Sequence, residues 1–157
     1  MAEWLQWIAD SAIATSLRRS TVLYPLLSAA HITSLGVLIG TIMTLDLRML
    51  GALRRPSLTE LAQLMPKLAA AGLLSAVLTG ALLFSVQPGH YATNTAFQIK
   101  LVLLALGLLN VFLVHRLEDW RLVTQGHSPS VRLRLSASCS LLLWLAVIIA
   151  GRWVAFV

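Results

Sequence analysis

A few ionisable side chains fall inside or at the ends of long apolar stretches of this sequence. An ionisable group in the hydrocarbon core of a membrane is costly and usually faces protein or a water-filled cavity, so each is a candidate functional residue. A histidine can ligate haem iron, and cationic side chains bind anions. These candidates are His31, Asp46, Lys100, His115 and Arg152.

Membrane depth divides these residues into two groups. His31 precedes Asp46 by fifteen residues, which is about 22 Å of helix at a rise of about 1.5 Å per residue. With Asp46 at the inner boundary, His31 lies in the outer part, together with Lys100 and Arg152. The loop residues expected to cover this outer cluster are His90, Tyr91 and Asn94.

The outer cluster gathers basic groups with no acid at the same depth. A lipid phosphate, a haem propionate or the developing negative charge on a quinone oxygen would balance it. The sequence therefore predicts a site for haem b or a quinone, with His31 as a candidate iron ligand. In the alternative interpretation, Lys100 and Arg152 extend to the lipid headgroups and His31 bonds to a neighbouring helix. The predicted cofactor-binding residues are His31, Lys100, Arg152, Tyr91, Asn94 and His90.

The inner group is expected to hold helix ends together. Asp46 and Arg48 are predicted to pair, with Asn110 and His115 nearby and Arg116 next in sequence. Interfacial charges are easily solvated, so a structural network is favoured over a binding site.

Two histidines can share one haem iron only at about the same depth. His31 and His115 fail this test, because their predicted depths differ by most of the membrane thickness. A pair of His31 with His90 requires the outer loop to dip inward, and a pair of His115 with His127 requires the inner loop to fold back.

Composition identifies the elements that carry these residues. Of 157 residues, 58% are hydrophobic and 11% are charged, with a mean hydropathy of +0.82; soluble domains carry about 25% charged residues. Residues 2–18 suggest an amphipathic helix lying in the interface. The sequence predicts one all-α domain over residues 1–157, a membrane four-helix bundle. The predicted spans are about 21–45, 66–86, 96–114 and 135–156.

The loops predict the orientation. The positive-inside rule assigns the arginine-rich loops to the cytoplasm, so we expect a bacterial inner-membrane protein with both termini outside. The net charge of +6 is explained by these loops and by anionic lipid, and nucleic-acid binding is not expected. The basic residues are Arg48, Arg54, Arg55 and Lys67 in the first loop region, and Arg116, Arg121, Arg132 and Arg134 in the third; residues 87–95 have none.

The first span has two polar or small-residue faces. Tyr24, Ser28 and His31 fall on one face, and Gly36 and Gly40 fall near the opposite one. Glycines four residues apart allow two helices to approach closely. We therefore expect a homo-oligomer or a partner membrane subunit on the Gly36 and Gly40 face, in addition to the lipid bilayer.

Three short strings of sequence carry a resemblance to a known family. They are Asp46-Leu47-Arg48, then Asn94-x-x-Phe97-x-x-Lys100 with Asn110 and His115 following, and Gly151-Arg152-Trp153. With His31, this pattern resembles a family of small, uncharacterised four-helix bacterial membrane proteins known only as a domain of unknown function. The resemblance covers nearly the whole chain and implies the same four-span fold, but no reaction. The architecture is also similar to four-helix cytochrome b anchors, an analogy of fold alone.

Three functions remain open from the sequence. The leading one is a non-catalytic membrane subunit of a redox system that binds haem b or quinone at the outer cluster. The alternatives are a membrane anchor or assembly protein with purely structural polar residues, and a small transporter or metal-handling permease. An enzyme is less expected, because no nucleophile–base pair or catalytic carboxylate pair has usable spacing.

Overall fold

The computed structural model describes residues 3–156, and every element in that range is a helix. Two short helices come first, followed by four long helices with a short helix after the second and third of these. The helices are α1 (Glu3–Ala9), α2 (Ala12–Arg19), α3 (Leu23–Met49), α4 (Leu58–Val86), α5 (Pro88–Thr93), α6 (Thr95–Arg116), α7 (Glu118–Thr124) and α8 (Val131–Trp153). The predicted all-α class is confirmed, while residues 1, 2 and 157 of the predicted domain lie outside the described range.

Four of the described helices, α3, α4, α6 and α8, are long and apolar enough to cross a membrane. Their outward surfaces carry exposed leucine, isoleucine, valine and phenylalanine side chains, such as Ile32, Leu78, Leu109 and Leu142. Lipid tails solvate such side chains well, whereas water does not. The chain is therefore a multi-pass membrane protein.

Side-chain caps begin three of the long helices. The hydroxyl of Ser57 accepts a hydrogen bond from the Glu60 backbone N–H at 3.2 Å, as expected of a residue that precedes a helix. Asn94 and Ser130 cap α6 and α8 in the same way. The second span begins before its predicted start at about residue 66, because α4 runs from Leu58 through Pro66 without a break.

The long helices pack in the order α4–α3–α8–α6. The α3–α4 contact is the most extensive, and Gly72 allows it: a Cβ at this position would lie 2.8 Å from the backbone nitrogen of Leu38. In contrast, α4 and α6 are not among the helix pairs that pack closely. A cleft between α4 and α6 therefore remains on one side of the bundle.

The amino-terminal region forms two helices where one was expected. Ser11 separates them and caps α2 by accepting from the Ala14 N–H. The guanidinium of Arg18 donates to the carbonyl oxygens of Ala9 and, at 3.5 Å, of Val86. These bonds hold the two short helices against the end of α4, next to α5.

Candidate functional site

A cavity of about 1180 Å³ lies between α3, α4, α6 and α8 beneath α5. We call it the His31 cavity. Its walls are mostly apolar, and a few polar side chains reach it from different helices. The polar side chains with titratable or hydroxyl groups are Tyr24, Ser28, His31, His90, Tyr91 and Lys100.

His31 is fixed by a threonine on the neighbouring helix. Its Nδ1 lies 2.9 Å from the Oγ1 of Thr79. The Thr79 hydroxyl has one hydrogen and donates it to the carbonyl of Ser75 at 2.7 Å, so it acts as the acceptor for His31. Nδ1 is therefore the N–H of the imidazole.

The hydrogen bond to Thr79 determines which nitrogen of the His31 ring can bind a ligand. When Nδ1 carries the hydrogen, the neutral imidazole has its lone pair on Nε2. In the described part of the chain, the hydrogen bond between the ring and Thr79 is made by Nδ1 and does not involve Nε2. Gly80 allows the ring to lie against α4, because a Cβ there would be 3.1 Å from Cε1. A histidine with one nitrogen bonded to the protein and a lone pair on the other is the usual form of a metal-ligating histidine.

Lys100 brings a positive charge to the same cavity. Its aliphatic stem crosses Gly151 of α8, where a Cβ would lie 3.6 Å from Cδ and Cε. The ion pair found in the described part of the chain joins Arg121 and Glu118 on the surface, and Lys100 has no acidic partner there. An ammonium group partly removed from water and without a counter-ion favours an anionic or strongly accepting ligand.

An aromatic wall borders the cavity at the α5 end. Phe84 and Phe97 stack with ring centroids 5.7 Å apart, and Tyr91 lies against both. Tyr91 also hydrogen-bonds to Tyr24, and burial together with this neighbour raises the pKa of the Tyr91 phenol above its ordinary value. The phenol therefore stays protonated and able to donate a hydrogen bond.

The structure places two of the predicted residues outside this cavity. Arg152 is exposed, and its guanidinium lies over the ring of Phe156 at 4.7 Å. Asn94 is buried, caps α6 and donates to the carbonyl of Val154 at 3.4 Å. Its amide thus joins the loop to the end of α8. The cavity brings together His31, Lys100, Tyr91 and His90.

A second cavity of about 380 Å³ surrounds Asp46, and we call it the Asp46 cavity. Asp46 is 5% exposed, and its Oδ2 has no hydrogen-bond partner among the described residues. The Ser140 hydroxyl bonds to the same carboxyl group. The polar side chains that line this cavity are Thr41, Asp46, Asn110, His115, Ser140 and Trp144.

The predicted Asp46–Arg48 pair is not formed. Residues two apart on a helix point about 200° apart, and the Nε of Arg48 donates to the carbonyl of Pro56 at 2.8 Å instead. Arg116 lies over the ring of Phe112 at 4.7 Å and is exposed. Asp46 is therefore an acid without a basic partner in the described part of the chain.

The other two members of the predicted inner network are held separately. The Asn110 amide donates to the backbone carbonyl of Ser136 at 3.2 Å and accepts from the Ser136 hydroxyl at 2.7 Å. The Nδ1 of His115 bonds to the carbonyl of Val111 at 2.8 Å, and its ring centroid is 4.5 Å from that of Trp120. Asn110 ties α6 to α8, and His115 anchors to its own helix.

Several residues at the two cavities were missed from the sequence. Thr79 and Gly80 position His31, while Ser140 and Trp144 meet at the Asp46 cavity. Hydroxyl groups and glycines are common in membrane helices, so their type alone does not mark them. The available signal was the spacing of Ser136 and Ser140, which places two hydroxyls on one face of α8.

Metal binding by a cluster of side chains has no support in residues 3–156. No group of three or more histidine, cysteine, aspartate or glutamate side chains lies close enough to hold an ion there. A haem needs only an axial ligand from the chain, and the geometry of His31 fits that role.

Comparison with known proteins identifies a family that matches this chain. A model of a family of unknown function, DUF6644, matches residues 5–157. No curated protein and no solved structure matches the chain.

Proposed function

Because the chain belongs to the DUF6644 family, whose function is unknown, membership supplies no activity, and we propose one from the His31 cavity. We propose that the protein is a non-catalytic membrane subunit of a redox system that binds haem b in this cavity. The observation that carries the proposal is the Nε2 lone pair of His31, which the Nδ1–Thr79 bond leaves available for iron.

The remaining lining supports a haem. Lys100 supplies a positive charge for a propionate, and the wall of Phe84, Tyr91 and Phe97 provides an apolar surface for a flat macrocycle. His90 lines the same cavity but lies on α5, next to Tyr91. Tyr91 bonds to Tyr24, seven residues before His31 on α3. This separation is about 10 Å along the helix. His90 therefore lies at a different depth from His31, and we assign only His31 as a ligand.

A quinone head group in the same cavity is the second candidate. The observation that favours it is a pair of donors, the Lys100 ammonium and the Tyr91 phenol, which suit quinone carbonyl oxygens. The cleft between α4 and α6 would admit such a ligand from the lipid.

The test is the absorption spectrum of the purified protein, oxidised and then reduced, together with its melting temperature in the presence of quinone analogues. Haem b is expected to give a Soret band that shifts on reduction, and a bound quinone analogue would raise the melting temperature. A protein with neither response contradicts the redox function. It would favour the anchor or assembly role, in which these side chains only join helices.

We also propose that the protein resides in a bacterial inner membrane with both termini outside, so that the His31 cavity opens near the outer face. The support is the positive charge of the loop regions at residues 48–67 and 116–134 against the neutral 87–95 segment. Alkaline phosphatase fused after residue 156 is expected to be active, and the same enzyme fused after His127 is expected to be inactive. The reverse pattern would contradict this orientation and would place both termini in the cytoplasm.

A further inference from the structure

Two buried polar atoms at the Asp46 cavity have no hydrogen-bond partner among the described residues. They are Oδ2 of Asp46 and Nε1 of Trp144. Asp46 is 5% exposed and Trp144 is 1% exposed, and both line the cavity. Buried polar atoms are nearly always paired, so an acceptor and a donor without protein partners beside the same cavity indicate a ligand-binding site.

The chemistry of these two atoms defines the ligand. A carboxyl oxygen accepts a hydrogen bond, and an indole N–H can only donate one. A hydroxyl group does both, so a hydroxylated ligand could satisfy both atoms. Most of the remaining lining is apolar, formed by side chains such as Leu45, Ala69 and Leu108. An apolar ring bearing hydroxyl groups therefore fits this lining.

The surroundings favour a ligand that arrives from the lipid. One side of the Asp46 cavity is formed by Met65, Pro66 and Ala70 of α4, and another by Val111 and Phe112 of α6. These two helices are not among the closely packed pairs. The cleft between them gives a lipid-soluble molecule a lateral route, with its tail left among the lipid chains.

We propose that the Asp46 cavity binds the head group of a lipid-soluble hydroquinone. One ring hydroxyl donates to the Asp46 carboxyl, and a hydroxyl accepts from the Trp144 indole. This site is distinct from the proposed cofactor site, since the two cavities share only Leu38, Leu73 and Trp144 in their linings. An organic cation is disfavoured, because it would leave the indole N–H without an acceptor.

The test uses the full chain in detergent, without oxygen, with decylhydroquinone and its dimethyl ether as probes. The ether has the same ring and tail but no hydroxyl donor. Dissociation constants are measured by calorimetry. Decylhydroquinone is expected to bind about tenfold more tightly than the ether, the effect of one buried hydrogen bond. In Asp46→Leu this preference is expected to vanish, because the apolar side chain accepts no hydrogen bond.

Two further variants test the second hydrogen bond and the other cavity. Trp144→Phe keeps a ring but removes the N–H, and it is expected to weaken hydroquinone binding several-fold even if Asp46→Leu does not fold. His31→Ala is the control in the other cavity and should leave the preference unchanged.

Three outcomes would overturn the proposal. Equal affinity for the two probes would mean that the polar atoms are satisfied by water. Binding lost in His31→Ala but kept in Asp46→Leu would place the hydroquinone in the His31 cavity. Binding of tetraphenylphosphonium that depends on Asp46 and excludes decylhydroquinone would identify a cation site. Whether His31 holds a haem is determined separately, from the absorption spectrum of the same protein.

Discussion

The hydroxyl of Thr79 determines what the imidazole of His31 can do. Because that hydroxyl already donates to the Ser75 carbonyl at 2.7 Å, it receives the Nδ1 hydrogen of His31 at 2.9 Å. The tautomer and the ring orientation are thus fixed by a residue on another helix. The bond from Nδ1 to Thr79 leaves the lone pair of Nε2 available for a ligand, whereas a histidine without such a partner has no fixed tautomer.

Replacing Thr79 by valine tests this relation. Thr79→Val keeps the shape of the side chain but removes the acceptor, so the ring loses its fixed tautomer. We expect the affinity for haem to fall by about tenfold or more, the usual effect of losing a partner behind a metal ligand. The measurement is haem transfer to an acceptor protein, followed by absorbance.

The matched control is Thr33→Val. Thr33 is exposed on α3, and its hydroxyl donates to the Ala29 carbonyl, as that of Thr79 does on α4. It lines neither cavity. If both variants lose haem equally, the loss results from removing a hydroxyl that bonds to a carbonyl of its own helix. The proposed role of Thr79 would then be wrong.

The sequence predicted the positions of single residues better than their partners. Periodicity on α3 placed Tyr24, Ser28 and His31 on one face, and all three line one cavity. The partner of Asp46 was misassigned to Arg48, because closeness in sequence was taken for closeness in space. Thr79 was missed because hydrogen bonds between helices depend on which faces meet, and a single sequence does not fix that.

At the scale of the elements, the close approach between helices occurs at glycines of α4. It does not occur at the Gly36–Gly40 face of α3. Gly72, Ala76 and Gly80 follow one another at intervals of four residues, and Gly72 and Gly80 meet α3. A Cβ at Gly36 or Gly40 meets nothing within 4 Å, and that face is exposed. The sequence contains small residues four apart on both α3 and α4, and only the packing shows which set lies at a contact between helices. An oligomer on the open face stays a prediction.

Gly72→Ala is expected to separate α3 from α4. The added methyl group would lie 2.8 Å from the Leu38 backbone nitrogen. Backbone atoms of a helix cannot move aside as the flexible end of a side chain can. We expect a loss of about 1–3 kcal/mol in the free energy of unfolding, typical of overpacking. The measurement is denaturant-induced unfolding in detergent.

Gly36→Ala is the corresponding control. With open space around its Cβ, this substitution is expected to be neutral or slightly stabilising, because alanine is the better helix former. Destabilisation of Gly36→Ala as large as that of Gly72→Ala would mean that the open face packs against another copy of the chain.

At the scale of the whole molecule, the His31 cavity and the Asp46 cavity lie at different depths of one helix bundle. His31 and Asp46 lie fifteen residues apart on α3, or about 22 Å. Leu38, Leu73 and Trp144 form the wall that both cavities share. Composition and apolar length predicted the four long helices, since lipid leaves the backbone few alternatives. They did not predict the cleft between α4 and α6, which depends on which helices pack together.

The central claim, that His31 holds a haem, is tested most directly by one reduced-minus-oxidised absorption spectrum. It is recorded on the native protein, on His31→Ala and on the control His127→Ala, whose side chain is exposed and bonds to the Leu122 carbonyl. A haem b spectrum in the native protein and in His127→Ala, but not in His31→Ala, is the predicted result. A featureless native spectrum after growth with added haem precursor, or a haem signal unchanged in His31→Ala, would contradict the claim.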